Sequence, residues 1–179
     1  MLVGQQFYIK KPIALIGFMG SGKSSVAKLL SEQTGIEFVD TDKLVVQRCK
    51  QTISEIINSR GESAFRKIEA DILDEVTRDK KIIVATGGGC VESAVSRGAL
   101  KNCFVVWLNV SSKTAADRII DFSSRPMFKD IENAENVLAQ RNNRYEKCSN
   151  VEIDTDGKKL DDVVQEVKRV LIRKGILQQ

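Results

Sequence analysis

The stretch GFMGSGKS, Gly17–Ser24, follows the apolar run PIALI and leads into KSSVAKLLSEQT, a helical pattern that Gly35 is placed to end. Strand, glycine-rich loop and helix in that order restrict the chain to folds that set a phosphate-binding loop beyond a strand end. The loop reads G-x-x-x-x-G-K-S, and its physical logic is specific. Gly17, Gly20 and Gly22 let the backbone approach phosphates closely, successive N–H groups form an anion nest, and the helix starting near Lys23 adds its positive end. Lys23 is placed to bridge the β- and γ-phosphates of ATP, and the Ser24 hydroxyl to ligate Mg²⁺. Gly20, Ser21, Gly22, Lys23, Ser24 and Ser25 are therefore the predicted nucleotide-binding residues of the loop. Switches, motors, hydrolases and kinases all use such a loop, so the destination of the phosphate must be read elsewhere.

The order of elements defines the fold class. Strand patterns at PIALIG, IEFVD, KIIVATG, CFVVWLNV and VEIDT alternate with helical ones at KSSVAKLLSEQT, TISEIINSRGESAFRKIEADILDEVTR, VESAVSRGAL, SSKTAADRII, NAENVLAQRNNRYEK and LDDVVQEVKRVLIRKG. Thr52 and Glu55 form a capping box opening the second helical region, and Leu160, Val163, Val164, Val167, Val170 and Leu171 mark one face of the last helix. Near-continuous apolar strands alternating with helices predict an α/β fold with a parallel sheet covered on both faces. Ligands in such folds bind beyond the carboxyl ends of the strands.

Composition removes several alternatives. At 179 residues the chain suits one domain, 1–179. A net charge of +4 without basic runs or interleaved aromatics does not suggest nucleic acid, and no run approaches membrane-spanning length. The opening MLVGQQFYIKK lacks a signal-peptide core. The four cysteines, Cys49, Cys90, Cys103 and Cys148, show no C-x-x-C pair and have no histidine beside them, so reduced thiols of a cytoplasmic protein are expected. Absence of histidine also leaves proton transfer to a carboxylate or to the substrate.

The strand ends carry the remaining candidates. VDTDK brings Asp40 and Asp42 to the end of the second strand, either as a helix cap with a surface acid or as a metal-directed and substrate-directed pair. The third and fourth strands end in VATGGG and VVWLNV with no acid, which favours the second reading. Gly87, Gly88 and Gly89 offer bare backbone to a ligand. Glu62, Arg66 and Glu69 fall at helical steps, as an exposed salt-bridged face would. FSSRPMFKD, flanked by Arg118 and containing Arg125, reads as a mobile lid at about 121–135.

These motifs together resemble shikimate kinase, from about Ile13 to Thr155: GFMGSGKSSVAKLL, FVDTD, GESAFRKIE, TGGG and RP stand in the family's order and at its spacing. The resemblance implies a P-loop NTPase fold of the nucleoside-monophosphate-kinase type with a five-stranded parallel sheet. The implied enzyme is an ATP-dependent phosphotransferase acting on the 3-hydroxyl of shikimate, with Mg²⁺. It also implies roles. Lys23, Asp42 and Arg125 are catalytic, with Asp42 orienting the acceptor hydroxyl. Ser24 and Asp40 serve the metal, and Arg118 and Arg125 the nucleotide. Asp42, Phe65, Arg66, Gly87, Gly88, Gly89 and Arg141 bind the substrate, whose carboxylate meets Arg66 and Arg141. A helical segment at about 43–78 carries much of that site. Small-molecule substrates and a monomer are expected. Three positions depart from the family: RNNRY at Arg141–Tyr145 lacks a proline and adds Arg144, read as a solvated rim charge. Ile57 replaces a frequent aromatic, and DGKKLDD lacks the proline often found at the adenine edge.

A kinase for another small metabolite, such as gluconate, is the alternative. Nucleoside monophosphate kinases of the adenylate type need D-G-x-P-R, which is absent. A GTP switch needs N-K-x-D, also absent, and the lone D-x-x-G, Asp154–Gly157, comes too late. A catalytically dead relative is disfavoured because the catalytic positions are filled. Lys23→Ala is expected to lower kcat by about 10²-fold or more while weakening nucleotide binding far less, because Lys23 meets charge that builds in the transition state. Steady-state kinetics beside nucleotide titration check this, and near-normal turnover contradicts it.

Overall fold

The computed structural model describes residues 7–78, 81–118 and 131–179. Strand β1 (Tyr8–Ile9) leads to β2 (Ile13–Ile16), the phosphate-binding loop and α1 (Lys23–Thr34). Then come β3 (Phe38–Asp40), α2 (Thr41–Cys49), α3 (Ile53–Arg60), α4 (Glu62–Thr77), β4 (Ile83–Ala85), a 3₁₀ turn (Cys90–Glu92) and α5 (Ala94–Leu100). The chain continues through β5 (Phe104–Asn109), α6 (Ser112–Arg118), α7 (Ile131–Cys148), β6 (Val151–Asp154), α8 (Leu160–Arg173) and β7 (Leu177–Gln178). Of the segment expected as a lid, 121–130 lies outside the described residues, Arg125 with it, and 131–135 open α7.

Five strands form one parallel sheet in the order β3-β4-β2-β5-β6, the α/β architecture expected. Strand β2, which feeds the glycine-rich loop, is the middle one, paired to β4 through Ala14–Val84 and to β5 through Ala14–Val105. Alternation of side chains across the pleat, with both faces covered, explains why the inner strands β2, β4 and β5 are almost wholly apolar. Ile13, Leu15, Ile83, Val106 and Leu108 face one layer with Val26 and Leu30 of α1 and Val163, Val164, Val167 and Leu171 of α8. Ala14, Ile16, Val84, Val105 and Trp107 face the other layer, with Ile56, Phe65, Ile72, Leu73 and Tyr145 from α3, α4 and α7. Each fully buried branched side chain contributes about 1.5–3 kcal/mol over exposure, so both layers hold the sheet rigid beneath its carboxyl-end crevice.

Local signals act as their chemistry requires. Asp40 caps α2, and Thr52 and Glu55 form the expected capping box on α3, with Glu55 Oε2 accepting from Thr52 N at 2.7 Å. The long helical pattern after Thr52 divides at Gly61, whose φ of 84° and ψ of 160° lie outside helical backbone. On α8 the predicted face is buried at Val163, Val164, Val167 and Leu171, while Leu160 at its start is exposed. One feature was not expected. Strands β1 and β7 form an antiparallel two-stranded ribbon, Ile9 opposite Leu177, and both side chains plug the α1–α8 core layer.

Candidate active site

The phosphate-binding loop runs from the end of β2 into α1. At Gly17 φ is 143°, and a Cβ there would lie 2.4 Å from the Leu108 carbonyl oxygen, so only glycine fits between β2 and β5. Lys23 is buried, and its Nζ donates to the carbonyls of Gly17 and Phe18, each at 2.8 Å, so the ammonium sits inside the loop's curve. Ser24 Oγ donates to Asp40 Oδ2 at 2.6 Å. The other oxygen, Asp40 Oδ1, accepts from the backbone N–H groups of Asp42 (3.0 Å) and Lys43 (3.3 Å). The capping reading of Asp40 therefore holds through one oxygen, while the other reaches the loop's serine.

A cleft of about 590 Å³ lies over this loop. Met19 through Val26 line it, together with Asp42, Thr86, Gly88, Arg118 and Thr155. At its outer wall Arg118 donates to Thr155 Oγ1 (3.0 Å), to the Thr155 carbonyl (2.6 Å) and weakly to Gly20 O (3.4 Å). This guanidinium thus ties the loop to the end of β6.

The second half of the site is built around a buried acid. Glu69 on α4 is 1 % exposed and accepts from Arg66 Nη1 at 2.8 Å. Arg66 also reaches Glu62 at 3.1 Å and lies over the ring of buried Phe65. The expected salt-bridged helix face is present, but it turns inward at Glu69. Burial pushes the Glu69 carboxyl above its ordinary value and nearby Asp42 adds to this, while Arg66 and Arg141 offset it in part. Burial alone would lower Arg66, yet Glu69 and Glu62 outweigh it and hold the guanidinium above its ordinary value.

Gly87 and Gly89 owe their identity to these side chains. A Cβ on Gly87 would stand 2.1 Å from Glu69 Oε1 and 2.6 Å from Asp42 Oδ1, and one on Gly89 2.3 Å from Arg66 Nη1. The space expected for a ligand's approach is filled by the site's own charges. Gly88 packs instead against the phosphate-binding loop, and its carbonyl accepts from the Tyr145 hydroxyl. Thr86 Oγ1 donates to Leu15 O and Gly87 N donates to Thr41 Oγ1, both at 3.0 Å, which pins the β4 end between β2 and α2.

Arg141 on α7 is 6 % exposed, and its Nε donates to Glu92 Oε1 at 3.1 Å. Arg144 is not a free rim charge: its Nη1 pairs with Glu92 Oε2. Ile57 packs against the second core layer. Glu92, Thr41 and Tyr145 were not among the site residues expected from the sequence, and Glu69 was noted there only as part of an exposed face, through its i+3 step from Arg66. Arg125 lies outside the described residues.

A nucleotide-type loop, a carboxylate at the cleft and two arginines beyond it, Arg141 buried and Arg66 half-buried, are one arrangement, and comparison with known proteins identifies it. The family model for shikimate kinase matches residues 19–172. The chain belongs to the shikimate kinase family. A shikimate kinase of Sulfurihydrogenibium sp. (strain YO3AOP1) is 37% identical over 159 residues, covering 88% of this chain and 95% of the relative. The shikimate kinase from Acinetobacter baumannii, solved in complex with shikimate, superposes with a TM-score of 0.87 at 29% identity, over 92% of this chain and 94% of that one. A gluconokinase from Sinorhizobium meliloti, with a TM-score of 0.64 and 21% identity over 93% of this chain and 94% of its own, shares the fold. Shikimate kinases are ATP-dependent transferases on a P-loop fold, the fold found here.

Gly87→Ala tests how tightly the two halves are joined. The added Cβ displaces the Asp42 and Glu69 carboxylates, and kcat is expected to fall by about 10²-fold, as for a misplacement of about 1 Å. MgATP affinity should stay within a few-fold. Kinetics and nucleotide titration check this, and a rate within about threefold of the parent contradicts it.

Proposed function

We infer that this chain transfers the γ-phosphoryl group of ATP to the 3-hydroxyl of shikimate, giving shikimate 3-phosphate and ADP in the shikimate pathway. The observation that carries this reading is that Asp42 and Gly88 line the same cleft as the phosphate-binding loop, while Arg66 stands against Gly89 and Arg141 pairs with Glu92 on the turn that follows. A phosphate end and a carboxylate end thus flank one acidic group.

The chemistry follows from those neighbours. The substrate carboxylate binds Arg66 and Arg141, whose planar forks suit bidentate contact, with Phe65 beneath Arg66 and Gly87–Gly89 along the pocket wall. Asp42 accepts a hydrogen bond from the acceptor hydroxyl and orients its oxygen in line with the γ-phosphorus. As the new P–O bond forms and the bond to the β-bridging oxygen breaks, the hydroxyl proton passes to Asp42 and the electron pair leaves with ADP. Lys23 and the N–H groups of Gly20–Ser25 stabilise charge on the phosphates. Arg118 lies at the adenine side, held by Thr155. Arg125, on the lid at about 121–135, closes over the phosphates and adds its charge in the transition state.

Ser24 and Asp40 fit a magnesium site in kind, being a hydroxyl and a carboxylate oxygen 2.6 Å apart beside the phosphate loop. Magnesium takes one or two protein oxygens along with water and phosphate, and among the described residues no larger cluster of metal-ligating side chains occurs. When bound, the ion supplies charge neutralisation on the β- and γ-oxygens.

The chain acts as a single kinase domain, 1–179, working as a monomer in the cytoplasm on small molecules, with residues 43–78 carrying the substrate-binding helices. No helix among the described residues is long and apolar enough to cross a membrane. ADP release from MgATP with shikimate, gluconate and nucleoside monophosphates tests the substrate. Turnover is expected with shikimate, with the others at least about 10³-fold lower in kcat/KM, since a ligand whose carboxylate and hydroxyls are spaced differently leaves polar groups of the site mismatched. Comparable turnover with gluconate contradicts the reading.

A further inference from the structure

The 3₁₀ turn after the triple glycine ends in Glu92, and three arginines converge on that residue. Arg97 on α5 donates from Nη1 to the carbonyls of Val91 (2.7 Å) and Glu92 (2.9 Å), clamping the backbone of the turn. From α7, Arg141 Nε holds Oε1 and Arg144 Nη1 holds Oε2. The two carboxylate partners differ in setting. The Arg141 side chain is 8% exposed and that of Arg144 48%, with Glu92 between them at 30%. Burial pulls the Glu92 carboxyl up, but the two guanidinium groups outweigh it and hold it below its usual range, so it carries its charge at neutral pH.

A guanidinium whose Nε–H is engaged keeps its terminal nitrogens as the fork it can offer. One carboxylate shared by two guanidinium groups leaves a net positive charge, whereas one carboxylate facing Arg141 alone would cancel it. We propose that Glu92 is a positioning residue for Arg141, fixing the guanidinium so that its terminal N–H groups face the substrate carboxylate, and that Arg144 offsets the Glu92 charge so that Arg141 keeps its own for the substrate. The proposal rests on the reading that Arg141 binds that carboxylate. Arg144 thereby influences substrate affinity without touching substrate.

The interaction has a signature that a merely structural role lacks. Arg144→Ala leaves the whole Glu92 charge on Arg141, so shikimate Kd is expected to rise about three- to tenfold, with kcat and MgATP Kd within about twofold. In a Glu92→Gln background the amide oxygen still accepts from Arg141 Nε and has no charge to release. There Arg144→Ala should change shikimate Kd by less than about 1.5-fold, and Glu92→Gln alone by less than about twofold. Glu92→Ala removes the acceptor itself and should raise Kd about fivefold. Titration calorimetry on parent, both single variants and the double variant reads the cycle, and unchanged MgATP binding certifies each fold. An equal Arg144→Ala effect in both backgrounds overturns the proposal, because Arg144 would then act on substrate directly. So does a shikimate Kd that responds to neither Arg144→Ala nor Glu92→Ala. Arg141→Ala separates the two layers of the argument. A rise of at least about tenfold supports the carboxylate assignment, whereas no change sinks that assignment and the proposal with it.

Discussion

The ion pair between Arg66 and Glu69 is the contact on which the far half of the site, beyond the phosphate-binding loop, depends. Glu69 is almost wholly removed from water, so its charge is sustained by Arg66 and by the more distant Arg141. Removing one member of such a pair costs about 3–5 kcal/mol, because the other is left charged and uncompensated. The pair exists because Gly87 and Gly89 carry no side chain: a methyl at either position would occupy the volume of Glu69 or of the Arg66 guanidinium. The outer two of the three glycines at this strand end are thus a packing requirement set largely by two charged side chains of α4.

From that contact the rest of the geometry follows. The β4 end is pinned to β2 through Thr86 and to α2 through Thr41, so the glycines cannot drift from the phosphate-binding loop. Gly88 lies against the backbone of Gly17–Met19 while its neighbours lie against α4, and one tripeptide therefore spaces the phosphate-binding loop from the Arg66–Glu69 pair. Tyr145, stacked on Trp107 at 5.8 Å between ring centroids, brings α7 and its arginines to the same tripeptide through the Gly88 carbonyl. Rigid sheet, short spacer and paired charges together fix how far the phosphate-binding loop lies from Arg66 and Arg141.

Much of this was legible in the sequence, for identifiable reasons. The three inner strands, β2, β4 and β5, announce themselves because both faces are buried, and the loop motif carries its own chemistry. Asp40 could be read two ways from local pattern; the structure shows the cap through one oxygen and a hydrogen bond from Ser24 on the other. What escaped is what depends on long-range approach. Glu69 meets Gly87 across 18 residues of chain, and Glu92 meets Arg141 across 49, which no periodicity encodes. The β1–β7 ribbon is two residues deep on each side, too short to show alternation. Arg144 looked like a solvated charge because its partner sits on a turn distant in sequence.

The central claim is that Glu69 holds Arg66 in place for the substrate while leaving the nucleotide half untouched. Calorimetric titration of shikimate and of MgADP into Glu69→Ala tests it most directly. The account predicts a shikimate Kd at least about tenfold weaker, equivalent to about 1.4 kcal/mol, with MgADP Kd within a few-fold of the parent. An unchanged shikimate Kd would contradict it.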